Sequence, residues 1–280
     1  MAIGRRTFGA SGVELSEVAY GSMRLRGDRS ANATLLSEMH DIGITTHHSS
    51  SEYDSYESYC DLVRRLRTEG RTIEHIVKLA CPSFDESGFD PEVLRDRVEA
   101  ELYALDTERL DVVQWMVRGD AAGDGDTKRA FARAYGAMVD GAFGGLIQAG
   151  KVGAVALFPY VQPPVEALLE LDAVTGLCGY LNLLERELCE LAGQGYPTIA
   201  LRPLAAGLLG AQAAPEVPPP LEPRRARRAD VLDELGIEAL ALPAAALRYP
   251  LSFDAVASQV VSISTSARLV EILEALGVDR

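Results

Sequence analysis

Short apolar runs alternate with longer stretches of helical periodicity along almost the whole chain. Val18 to Gly21, Thr45 to His48, Ile76 to Ala80, Val112 to Trp115, Val152 to Leu157, Leu177 to Leu181, Thr198 to Leu201 and Val260 to Ile263 form eight candidate strands. Helix-length segments separate most of them: Ala33 to Asp41, Tyr56 to Leu66, Pro91 to Leu105, Thr127 to Ala149, Pro164 to Leu171, Leu184 to Ala192 and Leu232 to Leu247, with Ser266 to Leu276 closing the chain. Strands alternating with helices at this spacing pair in parallel through right-handed crossovers. Eight such units suit a closed (β/α)8 barrel, a TIM barrel, better than an open α/β sheet. Ahead of the first barrel strand, Ile3 to Phe8 and Val13 to Leu15 flank Gly9-Ala10-Ser11-Gly12 and predict a β-hairpin. That hairpin is expected to cap the bottom of the barrel.

Composition narrows the picture without choosing the topology. With 280 residues, 48% hydrophobic and 24% charged, the chain fits one large domain spanning residues 1 to 280. A net charge of -14 argues against a nucleic-acid partner, because phosphate neutralisation needs clustered Lys and Arg. The opening MAIGRRTFGASG has paired arginines and no apolar run after them, so neither a signal peptide nor a membrane partner is expected and the default location is cytoplasmic. Cys60, Cys81, Cys178 and Cys189 form no CxxC pair and no regular spacing with the four histidines, which predicts reduced thiols and no metal site. The expected partner is a small-molecule substrate, and oligomeric state is not legible.

The densest chemistry lies in Gly43 to Tyr53, GITTHHSSSEY. This stretch resembles the second barrel strand of aldo-keto reductases, with a pattern like GINFFDTADxY. Five further segments resemble that family in order. TFGASGVELSEVAYGSMRL is similar to its opening, LDTERLDVVQWM to LGxDYIDLYQLH, IQAGKVGAVALFPY to LVxSGKVRxIGVSNF, and GYPTIALRPLAAGLLG to GIGVIAYSPLAGGLL. The terminal VVSISTSARLVEILEAL resembles VIxGxxxxEQLEENLxAL.

The resemblance implies NADPH-dependent carbonyl reduction by a Tyr proton donor, an Asp and Lys pair that lowers the Tyr pKa, and a His that orients the carbonyl. A phenol near its reference pKa of about 10 needs such help near neutrality. Tyr53 matches the Tyr. His48 replaces the Asp, Cys81 falls where the Lys belongs, and Met116 replaces the His. Lys78, three residues before Cys81, is at best a weak substitute, because odd spacing in a strand sends two side chains to opposite faces. The family's Ser-Asn pair for the nicotinamide carboxamide corresponds to Phe158-Pro159, its Gln to Cys178 and its stacking aromatic to Leu201. For the phosphate end, Ser262, Ser264 and Arg268 sit where a strand gives way to the last helix, a place that offers free amide donors to an anion or is ordinarily capped by Ser or Thr.

At the strand ends His47, His48, Glu52, Tyr53, Asp54, Arg118 and Arg202 are the titratable residues expected near a mouth where barrel enzymes carry their chemistry. Tyr53 and His48 are the candidate catalytic pair; Glu52, Trp115, Arg118 and Arg202 are the candidate substrate contacts. His47 and His48 are adjacent on a strand, so one faces inward and the other lies under a helix. The segment Ala213 to Arg228, five prolines followed by four arginines, predicts a loop after the seventh strand, either a basic lid or a solvated linker.

Three functions fit: a reductase with an altered tetrad, a non-redox lyase, isomerase or cyclase using His48 and Tyr53 as acid and base, or a non-catalytic relative. Acid–base help alone is worth roughly 10²–10⁴-fold, so losing Asp, Lys and His together weighs against an unchanged reductase mechanism.

Overall fold

A computed structural model describes residues 2–25, 28–79, 88–116, 125–159 and 166–278. A two-stranded antiparallel hairpin, β1 (Arg5–Thr7) and β2 (Glu14–Ser16), precedes the barrel. The barrel strands are β3 (Val18–Gly21), β4 (Thr46–Ser49), β5 (Glu74–Lys78), β6 (Leu110–Met116), β7 (Val152–Phe158), β8 (Gly176–Tyr180), β9 (Thr198–Leu201) and β10 (Val256–Val261). They pair in parallel and in sequence order, and β10 closes onto β3. The helices are α1 (Arg29–Asp41), α2 (Tyr56–Thr68), α3 (Pro91–Ala104), α4 (Gly125–Gln148), α5 (Glu166–Leu169), α6 (Cys189–Gly193), α7 (Arg227–Leu235), α8 (Leu242–Leu251) and α9 (Ser266–Leu276). The (β/α)8 barrel with an N-terminal hairpin is therefore the observed fold.

Alternation along the strands builds two cores. Residues of one parity, among them Ile76, Val112, Ala154, Ala156, Cys178 and Ile199, fill the barrel interior. Residues of the other parity, including Tyr20, Val77, Val113, Trp115, Val155 and Leu177, pack against the helices in a larger outer layer. Phe8, Val13 and Leu15 of the hairpin are fully or almost fully buried and join the interior cluster, so the hairpin closes the barrel's N-terminal end. Gly176 is required there: a Cβ would stand 2.4 Å from the Pro197 carbonyl oxygen and 2.8 Å from the Phe8 ring.

Helix starts follow their sequence signals. Asp28 accepts from the Ala31 amide at 2.8 Å, Asp90 accepts from Glu92 and Val93 with Pro91 at the first helical position, and Thr265 accepts from Arg268. Most boundaries move by a few residues from the sequence expectation, and four elements differ in ways with a consequence or a clear local cause. β5 begins and ends two residues early, at Lys78, and β10 occupies Val256–Val261 rather than Val260 to Ile263. The helix expected over Leu232 to Leu247 is two helices, because Gly236 ends α7 in the left-handed region at φ 61° and Pro243 sits in the first turn of α8. The helix expected from Leu184 begins only at Cys189. The Asn182 side-chain oxygen takes the Leu184 and Glu185 amides at 2.9 Å, a local turn that competes with helix.

The proline and arginine segment over residues 213–228, expected to be a loop, is partly helical, and its arginines bond to protein groups rather than being only solvated. It contains a 3-10 turn at Pro219–Arg224 and runs into α7. Arg228 donates to the Leu208, Gly210 and Ala211 carbonyls, Arg225 to the Ala214 and Pro215 carbonyls, and Arg224 to the Leu184 carbonyl and to Glu187. Arg225 and Arg228 knit the chain that follows β9 to itself, and Arg224 ties it to the turn that follows β8. No helix among the described residues is long and apolar enough to cross a membrane.

Candidate active site

The alternation of β4 separates the two neighbouring histidines. His47 points outward, with Nδ1 3.1 Å from the Tyr59 hydroxyl and its ring centroid 5.3 Å from those of Tyr20 and His40. Burial, reinforced by the nearby His40 and His75, holds the His47 pKa well below the ordinary value. His75 lies on the same outer layer, and burial pushes it down to about 3. His47 therefore belongs to a structural cluster under the helices.

His48 points inward. Its Nε2 lies 2.6 Å from Gln114 Oε1, and the Cys178 thiol donates to the same oxygen at 3.5 Å. Because the amide oxygen only accepts, His48 carries its hydrogen on Nε2, which leaves Nδ1 as the basic nitrogen. Burial lowers the His48 pKa to about 4, the hydrogen bond to Gln114 opposes the shift, and the charge of Lys78 adds to it. The imidazole is neutral at physiological pH.

Beyond β4 the chain turns tightly. The Tyr53 amide donates to the Ser50 carbonyl at 3.1 Å, the Glu52 amide donates to Ser50 Oγ at 3.2 Å, and the Tyr53 carbonyl receives the Tyr56 amide at 2.9 Å. This turn sets the Tyr53 ring 6.2 Å from that of His48, tilted by 44°. Burial raises the Tyr53 pKa well above its ordinary value; Cys178, Tyr180 and Glu52 raise it further and Arg202 lowers it.

Lys78 ends β5 on the inward parity of Ile76, and its Nζ lies 5.5 Å from the centroid of the Tyr53 ring. It is ion-paired with Glu52 at 2.5 Å. β5 ends at Lys78, which sets the lysine beside the phenol, whereas the sequence resemblance gave that role to the Cys81 position and left Lys78 a weak substitute. Glu52, expected to contact substrate, supplies a carboxylate to the lysine. Cys81 and Arg118 lie outside the described residues.

Arg202 follows β9 in the left-handed region at φ 57°, and Ala205 and Ala206 share that conformation. Its guanidinium stacks over the Tyr180 ring at 3.9 Å from the centroid and donates to the Tyr180 hydroxyl at 2.9 Å. The Arg202 carbonyl accepts from Asn182 Nδ2 at 2.9 Å, and the same Nδ2 donates to Glu185 at 2.7 Å. Glu185 stands 3.9 Å from Arg202 Nη1.

The other expected residues lie elsewhere. Trp115 is buried in the outer layer, edge-on to Phe143 at 5.5 Å, so the structure does not bring it to Tyr53. Thr265, rather than Ser262 or Ser264, caps α9, and Arg268 is ion-paired with Glu271 at 2.5 Å. Gln114, Tyr180, Asn182 and Glu185 escaped the sequence reading. The signal for Gln114 was a lone polar residue inside the apolar run LDVVQWM, two positions before Met116. A groove of about 480 Å³, lined by Met23, Leu25, Arg29, Asp54 and Asp61, flanks the mouth without including Tyr53.

No protein-family model matches the sequence, and no curated protein matches it. Solved structures do. The holo form of an aldo-keto reductase from Bacillus halodurans superposes with a TM-score of 0.73 at 19% identity, covering 99% of this chain and 92% of that one. The apo form of the same reductase gives 0.72 at 19% identity over 99% and 91%. The chain has the aldo-keto reductase fold.

Whether a nicotinamide fits can be tested on the residues present. Phe158, Cys178 and Leu201, at the positions of the family's carboxamide and stacking anchors, are buried in the apolar interior cluster, and the Cys178 thiol is turned to Gln114. Phe158 packs edge-on against Tyr180 at 5.3 Å. Apolar side chains offer a carboxamide no hydrogen bond, and burying an amide unpartnered costs several kcal/mol, about 2 to 7 depending on reference. These residues do not fit the reactive ring as the family holds it.

Proposed function

We propose that the protein is an acid–base enzyme that transfers protons at a small carbonyl compound bound in the barrel mouth, with Tyr53 as the acid. The observation that carries this reading is the Lys78 ammonium over the Tyr53 ring, ion-paired to Glu52. The raised phenol pKa keeps Tyr53 protonated, so it donates to the carbonyl oxygen rather than removing a proton. As that oxygen takes the hydrogen, the phenol gains negative charge, which the neighbouring ammonium stabilises. His48, neutral and with Nε2–H committed to Gln114, offers Nδ1 to the proton on the carbon beside the carbonyl. The imidazolium then delivers a proton to carbon while an enol oxygen returns one to the Tyr53 phenolate: delivery to the neighbouring carbon is an isomerisation, and delivery to the same carbon after the imidazolium has swapped its proton with water is an exchange.

Tyr53→Phe is expected to lower solvent-deuterium exchange into dihydroxyacetone, followed by proton NMR, by about a hundredfold or more, and His48→Ala by a similar factor. Exchange at the wild-type rate in Tyr53→Phe, with folding intact by circular dichroism, would sink the reading.

A second reading, an NADPH-dependent carbonyl reductase, draws support from Lys78 and Glu52, which together restore a lysine and a carboxylate beside the phenol. The likeness to a reductase solved in a holo form supports it too. Saturable enhancement of NADPH fluorescence, with carbonyl-dependent NADPH oxidation lost in Tyr53→Phe, would establish it. A flat titration at submillimolar NADPH would dismiss it.

A further inference from the structure

We infer that Arg202 is the anion-binding residue of the site, so that the substrate is a small carbonyl compound carrying an oxyanion, a carboxylate or a phosphate. The inference rests on the reading that Tyr53 marks the substrate site. Arg202 Nη1 is shielded from solvent and has no hydrogen-bond partner among the described residues, although its neighbour Nη2 donates to the Tyr180 hydroxyl. The nearest carboxylate, Glu185 Oε1, is 3.9 Å away, too far for a hydrogen bond. Glu185 forms a long ion pair with the guanidinium, and its other oxygen accepts from Asn182 at 2.7 Å, so no Glu185 oxygen takes the Nη1 hydrogens.

A guanidinium left with a buried, unmet donor is costly unless something with acceptor oxygens completes it. Its orientation is fixed on three sides. The Tyr180 ring lies against its face, the Tyr180 hydroxyl takes one hydrogen, and Asn182 grips the backbone carbonyl. Only a planar, multiply donating cation profits from being stacked and fixed in this way, because its remaining N–H groups then present a fork that matches an oxyanion. The backbone supports the same conclusion: three non-glycine residues among five, Arg202, Ala205 and Ala206, hold left-handed conformations, a form of strain that clusters at ligand-binding sites. Arg202 also acts electrically on Tyr53, opposing the effect of burial on its phenol, which places the two within one site.

The test compares charged probes with neutral counterparts by isothermal titration calorimetry on the whole chain. Pyruvate is paired with methyl pyruvate, and dihydroxyacetone phosphate with dihydroxyacetone. One of the charged probes is expected to bind about ten- to a hundredfold more tightly than its neutral counterpart. The pair that discriminates identifies the carboxylate or the phosphate as the anion. Arg202→Met, which keeps an unbranched chain against Tyr180, is expected to abolish the preference, and Arg202→Lys to recover only part of it. Tyr53→Phe is expected to leave the preference intact while removing exchange, which separates this inference from the catalytic reading. Equal affinity for charged and neutral members, no binding of either charged probe, or an unchanged preference in a folded Arg202→Met would overturn it.

Discussion

The phenol of Tyr53 sits between opposing charges. Burial raises its pKa, Glu52 raises it further and Arg202 lowers it, while the Lys78 ammonium beside the ring is partly neutralised by its ion pair with Glu52. Glu52→Gln removes a like charge from the phenolate and releases the lysine, so the Tyr53 pKa is expected to fall. NMR titration of ring-labelled tyrosine checks it; an unmoved or higher value would mean that the ion pair is not what restrains the phenol. His48→Asp puts a carboxylate at the position where reductases of this fold carry one. The charge of Lys78 already reaches His48, so the new carboxylate is expected to compete with Glu52 for the ammonium. It would also face Gln114 Oε1, which must turn its amide nitrogen inward to donate. A crystal structure of that variant with Lys78 still on Glu52 would contradict the expected exchange of partners.

Among the elements, the chain that follows β9 depends on arginines that donate to backbone carbonyls. Arg228→Ala strips the Leu208, Gly210 and Ala211 carbonyls of a shared donor and is expected to cost about 1–3 kcal/mol, read as a lowered urea midpoint. An unchanged midpoint would reassign the arginine run to solvation. That use of the run was not legible in the sequence, because a cluster of like charges looks the same whether its donors meet water or carbonyls. The strands were legible, since each carries an apolar parity that only a buried sheet can satisfy, and β3 and β9 fall at their expected boundaries. β5 was misplaced because apolar Leu79 and Ala80 extend its pattern past the point where the strand ends. The lysine beside the phenol was concealed because the resemblance set Cys81, three residues on and of opposite parity, in its place. Asn182 and Glu185 were hidden for a different reason: Asn182 holds the Arg202 backbone from twenty residues away, Glu185 accepts from Asn182 and faces the guanidinium, and no local period encodes either task. The inward choice of His48 over His47 followed only once the register of β4 against β5 was known.

For the molecule as a whole, the buried histidines make stability depend on pH. In the folded chain His48 is held at about 4 and His75 at about 3, while in the unfolded chain each returns to about 6.5. A lowered folded pKa means that the unfolded chain takes up protons first, so stability is retained above pH 6.5 and lost below it. Each such histidine removes about 1.4 kcal/mol per pH unit until its folded pKa is reached. Glu101, Asp111 and Glu185, raised by burial, act in the opposite sense at the lower end and soften the fall. Between pH 7.5 and 5, His75→Gln is therefore expected to lose about 2 kcal/mol less stability than the parent, as read from urea unfolding curves. Trp115, the single tryptophan, on β6 and packed against α4, is well placed to report that unfolding by its emission. Parallel pH profiles for the two proteins would show that His75 is not neutral in the fold. Finally, Phe8 and its neighbours in the hairpin stopper the vessel at its base. On the proposed function, reactant and product then share one doorway, so a slowly departing product blocks the next arrival, and inhibition by product is expected to be competitive with substrate.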